Sequence, residues 1–256
     1  MAFYGLAAIA VLASCQKVNV PSQKEIETKI VGKWKLRSQD GQELLTNGKG
    51  VRTFFADGSM TQTMSGYVMN PESWVWAPHE VCQYSVNGNE VSVRTVASVP
   101  SKEFHGAVES INDSNFTIRT IKKIVGGVES SSSSLFVYDK VSVDYSEAII
   151  GTWEGVEMTG DDTHGDANHR IEYREDGSYT YYDKDGENWI PSSDVDNEFD
   201  VDGDWLSTRW RAAEGADYDY EWWDIVSIKD GTMKWSALRE KDGKRSTATF
   251  TWKKVN

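Results

Sequence analysis

Apolar and polar positions alternate along most of this chain. Val91, Val93 and Thr95 fall on one face of a strand, as do Phe116, Ile118 and Thr120, and the same period runs through Met233, Trp235 and Ala237. Near the C-terminus Ala248, Phe250 and Trp252 alternate with Thr249, Thr251 and Lys253. A period of two means that each strand buries one face and wets the other. Turn pairs separate the runs at short intervals: Asp57-Gly58, Asn87-Gly88 and Asn112-Asp113, then Asp176-Gly177, Asp202-Gly203 and Asp230-Gly231. Such pairs tolerate the positive φ of tight hairpins. The spacing predicts about eight antiparallel strands in each half, enough to close an up-and-down barrel. The clearest helical signal is at the start, where Ser22 with Glu25 three residues on forms a capping box and Ile26 and Ile30 share a face. Residues 146–150 are a fainter echo of it.

The pattern is written twice. Ile30-Val31-Gly32-Lys33-Trp34 returns as Ile149-Ile150-Gly151-Thr152-Trp153, and the Asp57-Gly58-Ser59 turn returns as Asp176-Gly177-Ser178 at the same offset. Val86-Asn87-Gly88-Asn89 answers Val201-Asp202-Gly203-Asp204, and Phe136 to Val141 answers Phe250 to Val255. An offset that drifts by only a few residues over a whole unit identifies two copies of one fold. The expected units are 25–143 and 144–256.

Composition agrees with an all-β chain: 11 Trp and 11 Tyr stand among only 5 Pro, so aromatic and β-branched side chains must fill the cores. The net charge of -13 is one-sided. Residues 1–146 carry 14 basic and 14 acidic side chains, whereas residues 147–256 carry 13 and 26. That field repels nucleic acid and anionic head groups, which argues against a nucleic-acid partner. The excess reads as a solvated acidic surface.

Residues 2–13 form an apolar run too short to span a bilayer but suited to the core of a signal peptide. It ends in Leu12-Ala13-Ser14-Cys15, which resembles the lipobox of bacterial lipoproteins. The resemblance implies lipidation of Cys15, removal of the preceding residues, a tether over 16–24 and a membrane contact through the lipid anchor only. With Gln16 after the cysteine, it implies the outer membrane of the cell envelope. Cys82 remains a lone thiol.

A helical turn, Gly-x-Trp on the first strand and about eight meandering strands resemble the lipocalin-like (calycin) domains, here in tandem. The motif falls on Gly32 and Trp34, then on Gly151 and Trp153. The resemblance implies that both tryptophans are structural, packing at the closed barrel end near a basic residue of the last strand, Lys140 and Lys253 or Lys254. The family's Thr-Asp-Tyr motif is absent from both copies.

Candidate chemistry is sparse. Residues 159–169 bring Asp161, His164, Asp166 and His169 into one loop, and these residue types ligate divalent cations, but the spacing matches no established metal motif and reads as a solvated loop. No nucleophile elbow, P-loop or Cys-x-x-Cys is present, and no cofactor is implied. Aromatic surplus is the remaining lead. Residues 66–80 carry Tyr67, Trp74 and Trp76 in a loop-like insertion that aligns with 183–193 and its Trp189. Trp222 and Trp223 are adjacent on a strand and so face opposite sides. Exposed Trp beside carboxylates and amides grips sugar rings, while buried Trp fills space.

The chain therefore reads as a non-enzymatic, lipid-anchored envelope protein of two barrels that binds a small apolar or glycan-type ligand, or a partner protein, at the loop rims. A structural subunit with filled barrels is the alternative, and a glycan-active hydrolase the third reading. An unfilled, aromatic-lined cavity separates the first from the second.

Overall fold

The computed structural model describes residues 20–69, 72–160 and 168–255, with side chains outside 65–75. Helix α1 (Gln23–Lys29) opens the first half; the Ser22 hydroxyl accepts from the Glu25 N–H at 3.3 Å, and Ile26 is buried. Then follow β1 (Gly32–Gln39), β2 (Gln42–Glu43), a 3-10 turn (Thr46–Gly48), β3 (Gly50–Phe54), β4 (Ser59–Met69), β5 (Glu72–Asn87), β6 (Glu90–Thr95), β7 (Lys102–Ile111), β8 (Asn115–Val125), β9 (Val128–Ser131) and β10 (Leu135–Lys140). The second half comprises β11 (Gly151–Thr159), β12 (His169–Tyr173), β13 (Tyr179–Asp185), β14 (Asn188–Pro191), β15 (Val195–Asp202), β16 (Trp205–Arg211), β17 (Asp219–Lys229), β18 (Thr232–Lys241) and β19 (Lys244–Val255).

All strand pairings are antiparallel, and each half forms its own sheet. In the first, β1-β3-β4-β5-β6-β7-β8-β10 returns to β1, a closed eight-stranded barrel. In the second, the order β14-β13-β12-β11-β19-β18-β17-β16-β15 curls without closing. The difference lies at one seam. In the first half β4 pairs with β5 along their lengths, from Ser59 opposite Gln83 to Met69 opposite Glu72. In the second, β13 spends its outer edge on the short β14, so the seam with β15 holds only at one end, where Phe199 N–H donates to Gly177 O at 2.8 Å and Ser178 bridges Glu198.

The loop expected at 66–80 is a hairpin of two long strands instead. Tyr67, Val68, Val75 and Trp76 favour extended backbone, and cross-strand pairing outweighed the Gly and Pro that suggested a loop. The equivalent 183–193 stretch is likewise a hairpin, β13–β14.

Trp34 and Trp153 occupy matching places. Each is fully buried, and each indole N–H donates to the carbonyl four residues back, Ile30 and Ile149, at 2.6 Å. Lys140 Nζ lies 4.3 Å from the Trp34 ring centroid and donates to Val31 O; Lys254 Nζ lies 5.1 Å from Trp153 and donates to Ile150 O. The glycines of Gly-x-Trp follow from this stack. Both take φ +125°, and a Cβ would meet Lys140 Nζ at 2.6 Å on Gly32 and Lys254 Cε at 2.9 Å on Gly151.

The interior residues beside these tryptophans differ between copies. Across the first barrel Trp34 faces Arg52, which faces Gln62, which faces Glu80. The Arg52 guanidinium lies 5.4 Å from both Phe104 and Tyr138, and Gln62 Nε2 donates to Glu80 at 2.7 Å. Side chains thus fill this part of the barrel. In the second half the corresponding row is Trp153, Ile171, Tyr181.

The halves dock through charge and one aromatic plug. Lys33 Nζ donates to Asp144 and contacts Asp202, each at 2.7 Å, while Lys35 spans Asp204 at 2.7 Å and Asp224 at 3.1 Å. Lys49 reaches Asp224 at 2.6 Å, and the Thr63 hydroxyl donates to the fully buried Asp202. Val51 of the first half packs against Trp205 and Trp222 of the second. Part of the acidity expected on a solvated surface is therefore neutralised internally: Asp202, Asp204 and Asp224 face lysines of the first copy.

Candidate functional site

Where the second sheet fails to close, it encloses a cavity of about 720 Å³. Its walls follow the period-two rule. Ile171 and Tyr173 on β12, Tyr179, Tyr181 and Asp183 on β13, Glu221 and Trp223 on β17, and Trp235, Ala237 and Arg239 on β18 alternate inward. Ser192 and Asp194, past β14, stand at the open seam, with Thr208 and Trp210 from β16 opposite. Residues 45–47 of the first half complete the wall, where Tyr220, Trp222, Leu238 and Glu240 join it. The Thr46 hydroxyl accepts from Leu238 N–H at 2.8 Å, which fixes this cover in place.

The wall is aromatic but not dry. Arg239 donates to Glu221 at 2.8 Å and its guanidinium lies 4.5 Å from the Trp223 ring. His169 stands 3.3 Å from Asp183 and 5.1 Å from the Tyr181 ring. Burial pushes the Tyr173 and Tyr179 phenols up, so both are neutral hydrogen-bonding groups at ordinary pH. The indoles divide into two groups. Trp34, Trp76, Trp153 and Trp205 each donate to an oxygen, whereas Trp223, Trp235 and Trp252, 2%, 3% and 1% exposed, have no acceptor among the described residues, and of these three only Trp223 and Trp235 line the cavity. A buried N–H without a partner carries a desolvation cost.

Of the aromatic candidates read from sequence, Trp222 and Trp223 line the cavity, on opposite faces of β17 as adjacency requires; Trp223 packs with Trp235, and Trp222 packs beneath the first half. Trp76 lies between the halves instead, donating to Ser207 at 3.0 Å with Arg209 4.1 Å from its ring. Trp189 sits on β14 against Arg170 and Lys184, away from the cavity. Tyr67 lies on β4 and Trp74 on β5, with side chains outside those described. Asp161, His164, Asp166 and Cys15 also fall outside the described residues, while His169 is a cavity residue on β12. Among the described residues no three His, Cys, Asp or Glu side chains converge as metal ligands. Cys82 is buried, and burial first, then Glu80, pushes its thiol up to about 11, which leaves it unreactive. The residues that sequence reasoning did not single out as a site are Tyr179, Tyr181, Glu221, Trp235 and Arg239. Their signal was present as alternation, but alternation reports an inward face and not whether that face encloses space.

No family model and no curated protein matches the chain. Among solved structures it is similar to the isotype 1 transferrin binding protein B of serogroup B Neisseria meningitidis, with a TM-score of 0.27 and 9% identity over 84% of this chain and 66% of that one. It is also similar to two mutants of transferrin binding protein B of Haemophilus parasuis Hp5. The Tyr-167-Ala and Trp-176-Ala double mutant gives 0.25 and 8% identity over 81% and 53%, and the Trp-176-Ala mutant 0.27 and 7% over 81% and 66%. The chain thus spans less than two thirds of each of these proteins, and at these scores the likeness carries no functional assignment.

Proposed function

We propose that this protein is a lipid-anchored bacterial envelope protein that binds a small ligand, without chemical turnover, in the cavity of its second half. The observation that carries this reading is the aromatic-lined cavity of about 720 Å³, within the range of about 300–1,000 Å³ usual for small-molecule sites. The docked first half supplies the cover through Thr46 and the turn around it. A structural role suits the first barrel itself, because Arg52, Gln62 and Glu80 fill the row whose second-half counterpart opens into the cavity. The anchor follows from the lipobox-like Leu12-Ala13-Ser14-Cys15, and among the described residues no helix is long and apolar enough to cross a membrane. Native mass spectrometry of the full chain purified from its host tests the binding role: a co-purifying small molecule lost in a cavity-filling variant is expected, and identical bare masses for both would remove the proposal. Cys15→Ser tests the anchor separately, since the variant is expected in the soluble fraction.

A further inference from the structure

We propose that the cavity takes a short, neutral saccharide, a conclusion that rests on the reading of the cavity as a ligand site. The cavity interleaves ring faces with ionised groups on the same strands: Tyr181 next to Asp183 in the inward row of β13, Glu221 next to Trp223 in that of β17, Trp235 followed by Arg239 on β18. An acyl chain or a flat hydrocarbon would cover the rings and strip water from the carboxylates without replacing it, which is costly for charged groups. A pyranose has apolar C–H faces for the rings and a girdle of hydroxyls for the carboxylates.

The indole nitrogens of Trp223 and Trp235 are buried without acceptors among the described residues, as is that of Trp252 outside the cavity, so the wall offers a ligand ring faces and not indole donors. A cationic amine gains little from the acidic wall, because Glu221 is paired with Arg239 at 2.8 Å, Glu240 with Arg245 at 3.1 Å, and Asp194 accepts from the Ser192 hydroxyl at 2.6 Å.

Charge excludes the other extreme. Asp183, Asp194, Glu221 and Glu240 line the space against one guanidinium, and Arg239 is already committed to Glu221 at 2.8 Å. With the one lining guanidinium committed, fatty-acid carboxylates, phosphates and uronic acids meet carboxylates without a free cationic partner in the wall. A neutral polyhydroxylated ring suits the ring faces and the carboxylates together.

The test is a titration of the full chain, followed by calorimetry and saturation-transfer NMR, with three neutral trisaccharides (cellotriose, maltotriose and N,N′,N″-triacetylchitotriose). N-phenyl-1-naphthylamine serves as a neutral apolar probe and tetramethylammonium as a cation. Binding of at least one trisaccharide more tightly than about 1 mM is expected. It should weaken by about three- to tenfold in Tyr181→Leu, which removes a ring face, and also in Asp194→Asn, with unchanged circular dichroism in both. Binding of the naphthylamine or the ammonium probe with none of the saccharides overturns the saccharide assignment and leaves the ligand site standing. Binding of no probe at all overturns both.

Discussion

The indole N–H of Trp205, in the second half, donates to the carbonyl oxygen of Thr46, in the first, at 3.2 Å. Both residues are buried, and the Thr46 hydroxyl accepts in turn from Leu238, so one short turn is bonded to two strands of the other half. Removing the plug leaves a large void and an orphaned carbonyl. Trp205→Ala is expected to destabilise by about 3–5 kcal/mol and to uncouple the halves. Differential scanning calorimetry reads this directly: one transition in the parent should become two in the variant, and an unaltered single transition would show that docking does not depend on the plug.

Asp224 holds Lys35 and Lys49 at once, with side chains only 19%, 15% and 10% exposed. Taking away the shared carboxylate leaves two ammonium groups facing each other in a poorly hydrated interface. Asp224→Ala should therefore cost about 3–5 kcal/mol, several times the cost of removing an exposed partner such as Glu240 from Arg245. Burial on its own would lower the Lys35 ammonium, but Asp224 and Asp204 overcome it and its pKa is raised. The folded state thus holds that proton more tightly than the unfolded chain. The contribution is complete below the ordinary lysine value of 10.5 and is lost as pH rises through the raised value. Denaturant unfolding in alkaline buffers should show parent and Asp224→Ala converging; a constant gap would contradict the assignment.

His79 makes a second, exposed contact between the halves. Its Nε2 lies 3.0 Å from Asp200 and its Nδ1 3.8 Å from Asp202. The hydrogen bond to Asp200 raises the imidazole pKa, with both aspartates adding to it against burial and the nearby Lys33. Stability from this contact is complete below the ordinary value of 6.5 and fades as pH rises through the raised one. Thermal melts of His79→Gln and the parent should differ at about pH 5.5 and agree at about pH 9. Equal differences at both would mean that protonation of His79 does not matter.

The all-β fold, the duplication and the capped helix at Ser22 were legible because each rests on local signals: a period of two, turn pairs, and a side chain three residues from its target. The cavity was not, for a physical reason. Arg52 and Ile171 occupy the same register beside equivalent tryptophans, and Gln62 and Tyr181 follow in the next strand. Alternation says that all four point inward. Whether they fill the interior or leave space depends on β14, a short strand that captures the edge β13 would otherwise offer to β15. Loop-like composition misled at 66–80 for a related reason: strand pairing across β4 and β5 is a long-range interaction that Gly and Pro counts do not report. The docking of Lys33, Lys35 and Lys49 against Asp202, Asp204 and Asp224 was visible only as a net charge confined to one copy.

The same register comparison yields the sharpest test of the cavity. Ile171→Arg with Tyr181→Gln writes the row of the filled barrel, Trp34 with Arg52 and Gln62, into the second half. Ile171 lines the space of about 720 Å³ that Glu221 and Asp194 also line, so an arginine there has volume and carboxylates to extend towards. Substitutions that crowd a packed core cost about 1–3 kcal/mol, but space is available here and the loss should fall at or below the lower end of that range. Ligand binding should disappear while the circular dichroism spectrum and the coupling between halves persist. Collapse of the double variant would mean that the interior at Ile171 is already packed, and retained binding would mean that the ligand lies elsewhere. Unfolding midpoints, set beside titration with whichever probe the parent binds, distinguish the three results.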